Sequence, residues 1–88
     1  HKFATIATPG HSPGGTTFYC AEEKVAFTGD TLFRNSIGRT DFDGGSMFMM
    51  INSLRELAQL PDDTAVLPGH GDATTIGAEL ANNPYMDR

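Results

Sequence analysis

The chain has 88 residues with six Lys+Arg against 11 Asp+Glu, a formal net charge of −5. That is one domain at most, with no basic stripe for nucleic acid and no apolar run near the ~18 residues of a membrane span. The one cysteine, Cys20, excludes an intrachain disulfide, so a domain this small needs a good core, a metal or a partner.

The chain opens on His1 with no methionine before it, which suggests a start inside a larger domain. Its first residues lack the layout of a secretory signal. Lys2–Ala7 alternates as a strand does. Thr8–Gly15 holds two prolines and three glycines and must be a loop. Thr16–Cys20 is β-branched and aromatic, a second strand. After the polar turn Ala21–Glu23, Lys24–Thr28 reads as a third strand, ending at Gly29-Asp30. Thr31–Gly45 shows no period and reads as a long loop of the kind that is usually functional.

Met47, Met50, Ile51, Leu54, Leu57 and Ala58 then fall on one helical face. Asp43 or Ser46 is the candidate cap. The methionines of this stretch read as core rather than ligands, and Cys20 as a small buried residue. Pro61-Asp62-Asp63 ends the helix, and Thr64–Leu67 is a short buried strand closed by Pro68-Gly69. A second helix is predicted from about Thr75 to Asn82, with Ile76 and Leu80 on one face. Asn83-Pro84 stops it, because the residue before proline is pushed out of the α region. The class is α/β (α+β).

Three positions share one local design. His11 follows the first strand in Pro-Gly-His, Asp30 follows the third in Thr-Gly-Asp-Thr, and His70 follows the fourth in Pro-Gly-His-Gly. Glycine lets the backbone turn sharply and approach a ligand. Imidazole and carboxylate suit Zn²⁺, Fe²⁺ or Mn²⁺. Each could instead be an ordinary turn residue; repetition of the design is what points to a shared metal site. A rival motif, Gly10-His11-Ser12-Pro13-Gly14, fits the G-x-S-x-G elbow of serine hydrolases. It fails chemically. Pro13 has no N–H to give an oxyanion, and Pro13-Gly14-Gly15 cannot start the helix that the elbow requires.

Thr8–Gly15, Phe27-Thr28-Gly29-Asp30-Thr31-Leu32-Phe33, Gly38-Arg39-Thr40-Asp41 and Leu67-Pro68-Gly69-His70-Gly71 together resemble the later motifs of the metallo-β-lactamase superfamily. Within it, they look most like the glyoxalase II branch, the hydroxyacylglutathione hydrolases. The resemblance implies an αββα sandwich with two metals, usually zinc, with iron or manganese in some members. By that resemblance His11 would complete the first metal's ligands, Asp30 would bridge the two, and His70 would complete the second. A hydroxide held between them would attack a thioester carbonyl. The family's H-x-H-x-D-H motif is absent from these residues and normally precedes the equivalent of His11. Residues 1–88 therefore resemble the C-terminal half, a mostly antiparallel sheet with two helices, inactive by itself.

Arg39 aligns with a basic position that helps to hold a glutathione-type thiol; as a lone residue it reads as a solvated loop arginine. Where such relatives carry a tyrosine two residues after the last ligand histidine, this chain has Asp72. A persulfide dioxygenase, a single-iron relative, shares the Gly-Arg-Thr-Asp turn. A non-catalytic scaffold is the reading from another class. The expected substrate is a small thioester or thiol derivative, in the cytoplasm, with no nucleic-acid or membrane partner. One alternate set among Phe3, Ile6, Phe18, Val25, Phe27 and Val66 should face the missing half, leaving an apolar face through which the 88 residues would self-associate.

Overall fold

The computed structural model describes residues 2–41 and 43–86; His1, with the expectation attached to it, lies outside them. Four strands fall where the alternation places them: β1 (Ala4–Ala7), β2 (Thr16–Cys20), β3 (Val25–Gly29) and, later in the chain, one at Ala65–Pro68. The stretch 31–45 is not wholly a loop. It contains a small hairpin, β4 (Leu32–Phe33) and β5 (Ser36–Ile37). Strands of two residues are too short to show a period, and the turn is made by Asn35 at a φ of 62°, a conformation that asparagine tolerates.

Helix α1 (Met47–Leu57) follows, then β6 (Ala65–Pro68), β7 (Thr74–Thr75) and α2 (Ile76–Asn82). The sequence reading missed β7 for the same reason as the hairpin. Of the two candidate caps for α1, Ser46 is the one used: its Oγ accepts from the Met49 N–H at 3.2 Å. Thr75 caps α2 in the same way, accepting from Ala78 N at 3.1 Å.

The main sheet runs β1-β2-β3-β6-β7. Only β3 and β6 pair in parallel; the other pairs are antiparallel. This order has a consequence for the site. β1 is antiparallel to β2, which is antiparallel to β3, which is parallel to β6. So β1, β3 and β6 all point the same way, and their C-terminal ends share one rim. Those are the strands that His11, Asp30 and His70 follow.

One face of the sheet carries Ala26 and Val66 into a core shared with Met50, Leu54 and Leu57 of α1 and Ile76 of α2, with Ile6 and Tyr19 at its margin. The other face leaves Phe3, Phe18 and Phe27 largely exposed. The alternate set on that open face is therefore Phe3, Phe18, Val25 and Phe27, whereas Ile6 and Val66 belong to the helix side. Cys20 is free and buried. The methionines divide: Met50 and Met86 are core, but Met47 and Met49 are exposed, because α1 meets the core only from Met50 onward.

Candidate metal centre

The loop after β1 is shaped by its backbone. Thr8 N donates to Gly15 O at 2.9 Å, closing the loop at its base. Inside it, Gly10 N and Gly15 N both donate to Ser12 O, at 3.2 and 3.3 Å. Helix α1 docks on this loop: Ser46 N donates to Gly10 O at 2.7 Å, and Ser53 Oγ to Pro9 O at 2.6 Å. Buried threonines fasten it from below. The Thr8 and Thr17 hydroxyls lie 3.1 Å apart, and Thr31 Oγ1 donates to Thr8 O at 3.3 Å. His11 thus leaves a loop held on two sides.

Asp30 follows a bulge, since the β3–β6 register shifts between Phe27 and Gly29; bulges re-aim the residue that follows. Gly69 N donates to Gly29 O at 2.8 Å, placing the end of β6 beside the end of β3. That brings His70 next to Asp30. Gly38 closes the third side so tightly that a Cβ there would lie 1.7 Å from Asp30 O and 3.2 Å from His11 Cβ.

The structure brings all three predicted ligands together. His11 Nε2 lies 3.6 Å from Asp30 Oδ2, and His70 Nδ1 lies 3.4 Å from Asp30 Oδ1. Each carboxylate oxygen faces a different imidazole. Among the described residues, no three such side chains converge on one ion position. The arrangement is a line of three, with the carboxylate in the middle.

The donor chemistry fits cations at these two gaps. His11 Nδ1 lies 2.9 Å from Arg39 O. A carbonyl can only accept, so Nδ1 carries the proton. In the neutral ring Nε2 then presents a lone pair toward Asp30, an arrangement that a cation between the two would satisfy. The same hydrogen bond orients the imidazole as metal-bound histidines are oriented. His70 is steadied by Phe33, whose ring centroid is 4.6 Å away.

His11, Asp30 and His70 line a cleft of about 300 Å³ with Phe33, Ile37, Gly38 and Arg39. Arg39 is therefore at the site, but its guanidinium is exposed and its Nε donates to Asp41 Oδ1 at 3.1 Å. That hydrogen bond holds the Asp41 carboxyl below its usual range. The contribution that sequence reading missed is Arg39's backbone carbonyl on His11, to which no residue-type pattern could point. Ser12 is not part of the cleft lining, and its loop leads into β2 rather than a helix, which agrees with the failure of the serine elbow. A larger depression, about 460 Å³, lies elsewhere, against Asn35, Thr74 and Glu79. It holds none of the three predicted ligands, so size does not identify the chemistry here.

The family whose pattern matches residues 1–70 is the metallo-beta-lactamase superfamily. The chain belongs to that superfamily. It is similar to a relative in Haemophilus influenzae named hydroxyacylglutathione hydrolase GloC, 48% identical over 87 residues. That match covers 98% of this chain and 41% of the relative. Among solved structures, TTHA1623 in a di-iron-bound form superposes with a TM-score of 0.92 at 45% identity, covering 96% of this chain and 42% of that one. ETHE1 from Myxococcus xanthus gives 0.87 at 39% identity, covering 93% and 38%. The chain thus spans about two fifths of the length of these relatives.

Proposed function

We propose that these residues supply the second part of a dinuclear metallohydrolase site, acting on a thioester of the hydroxyacylglutathione type. The observation that carries the reading is the Asp30 carboxylate, with one oxygen toward His11 and the other toward His70. A carboxylate so placed is suited to bridge two cations. His11 would serve one ion and His70 the other; zinc is the first expectation, and the di-iron form of a similar structure supports iron as well. Bound there, paired cations supply an acidified water and a polarised carbonyl.

The chain's own residues do the rest. Arg39 O fixes the His11 tautomer. Phe33 and Ile37 give the cleft an apolar wall that limits water around the acyl group. The Arg39 guanidinium, at the cleft's lip, can reach a carboxylate of a peptide-like thiol. The relative named hydroxyacylglutathione hydrolase supports this substrate class.

A second reading, persulfide oxidation at a single iron, is favoured by the Gly38–Asp41 turn. One ion at the His11–Asp30 gap would leave His70, whose Nδ1 lies 3.4 Å from the other Asp30 oxygen, without a role, so the dinuclear reading is preferred.

The test is zinc titration of the 88-residue chain, with thioester hydrolysis assayed in a longer protein that carries this segment. With half the ligand set contributed from elsewhere, the chain alone should hold well under two equivalents after dialysis. Asp30→Asn should lower affinity at both gaps and remove turnover in the longer protein. Persistence of thioester turnover in Asp30→Asn, or oxygen uptake on a persulfide substrate without thioesterase activity, would sink the proposal.

A further inference from the structure

Glu79 is the one carboxylate withdrawn from water among the described residues, at 1% exposure. None of the ion pairs among the described residues involves it. Its oxygens are occupied by three donors instead. Oε1 accepts from Asn35 N at 2.8 Å and from Asn83 Nδ2 at 2.9 Å; Oε2 accepts from Thr74 Oγ1 at 2.7 Å. Asn83, itself buried, also donates from Nδ2 to Ser36 O at 3.0 Å. A buried carboxylate without an ion-pair partner among the described residues is a costly way to fill space. Where every donor is satisfied, it specifies one arrangement.

The arrangement specified is the β4–β5 hairpin. Asn35 is in its turn and Ser36 opens β5, and they are held from α2 and its C-cap residue, 44 and 47 residues away in sequence. A hairpin with two residues per strand has little stability of its own. Its other end is the site. Phe33, on β4, lies against the His70 ring. Gly38, after β5, donates to Thr31 O at 3.0 Å and abuts Asp30. The next residue, Arg39, holds His11 through its carbonyl.

We propose that Glu79 is a positioning residue for both site histidines: from α2 it holds the hairpin turn whose far end delivers Phe33 to His70 and the Arg39 carbonyl to His11. The metal role of those histidines rests on the reading above, but their placement by Glu79 does not.

The placement is testable in the metal-free chain. The Phe33 ring beside His70 shifts the imidazole carbon-bound protons upfield in proton NMR, with the signal assigned by its loss in His70→Gln. Glu79→Leu keeps the size and removes the acceptors. It should return the His70 signal at least halfway to its unstructured position. Glu79→Gln should leave it in place. Its amide oxygen can still accept from Asn35 and Asn83, and its NH₂ can donate to the Thr74 hydroxyl, which rotates to accept. Leu57→Ala, a core truncation of similar destabilising effect, should not move the signal. If Glu79→Leu fails to fold by circular dichroism, Asn83→Ala, which cuts the Ser36 link and one of the three donors to Glu79, should displace the signal in part.

In zinc titrations, Glu79→Leu should bind about 10-fold or more weakly, the usual scale for outer partners of metal ligands, with Glu79→Gln restoring affinity. A folded Glu79→Leu or Asn83→Ala variant with an unmoved His70 signal overturns the proposal. So does a Leu57→Ala variant that moves it as far, since that would be general loosening. A displaced signal in Glu79→Leu upholds the positioning role whatever zinc the 88-residue chain holds, and the metal reading is decided separately by Asp30→Asn turnover in the longer protein.

Discussion

Gly10→Ala should cost this chain a large part of its stability, while Gly14→Ala, four residues along the same loop, should cost nothing. Gly10 has a φ of +142°, a region that L residues enter at about 1–3 kcal/mol. Helix α1 also passes directly over it. A Cβ on residue 10 would lie 2.6 Å from Met50 Cα and Cβ and 2.7 Å from Met50 N. These are backbone and near-backbone atoms, so no side-chain tip can swing aside. The first turns of α1 must retreat by roughly 1 Å to reach ordinary contact. That retreat strains the Ser46–Gly10 and Ser53–Pro9 hydrogen bonds and loosens Met50 and Leu54 in the core. Overpacking of this kind adds about 1–3 kcal/mol. The expected loss is therefore about 2–6 kcal/mol against a total of about 4–13 for a chain of this length. A Cβ on Gly14 would meet nothing within 4 Å, and its φ is not positive; alanine there should be neutral or stabilise by up to about 1 kcal/mol. Urea unfolding followed by circular dichroism measures both. With a slope near 1 kcal/mol/M, Gly10→Ala should lower the midpoint by about 2 M or more. A midpoint within about 0.5 M of wild type, or equal damage from Gly14→Ala, would refute the reasoning that α1 is seated on Gly10.

Three further outcomes are expected. The open face exposes Phe3, Phe18 and Phe27 at 50%, 48% and 39%, roughly 250 Å² of ring surface per chain. Burying it from two copies is worth about 12 kcal/mol against about 4–15 for association, so the 88-residue chain should form a two-fold dimer of micromolar or weaker affinity that Phe18→Asp abolishes. Sedimentation showing a clean monomer at high micromolar concentration would be the contrary result. The Thr64 hydroxyl is buried with no hydrogen-bond partner among the described residues, so Thr64→Val should raise stability by about 1 kcal/mol in urea unfolding; a loss would mean that the hydroxyl has a partner. Lys24 Nζ donates to Asp63 Oδ2 at 2.7 Å, raising the Lys24 pKa and lowering that of Asp63. A lowered carboxyl pKa gives stability that is lost as pH falls through it, and a raised ammonium pKa gives stability that is lost as pH rises through it. The small difference between wild type and Asp63→Asn should thus be greatest around neutrality, shrink toward both extremes and fade with salt; a difference that grows in acid would contradict the pairing.

The sequence alone was enough to mark His11, Asp30 and His70 as candidates, because each follows a glycine in the turn after a strand, and a local pattern of that kind survives in the order of residues. It was also enough for α1, whose apolar spacing runs over three turns, and for the family, whose motifs are local as well. It could not say that the three turns share a rim. That follows from strand direction, and direction is decided by pairing: β3 lies parallel to β6 across some 40 intervening residues, at a distance where no periodic pattern carries information. The hairpin and β7 escaped notice because two residues cannot display alternation. Glu79 escaped for a deeper reason. Read singly, a glutamate on a short helix is a solvent-facing residue. Only the packed chain turns it inward, where donors from Asn35, Thr74 and Asn83 meet it, and only there does a carboxylate at residue 79 acquire a hold on imidazoles at residues 11 and 70.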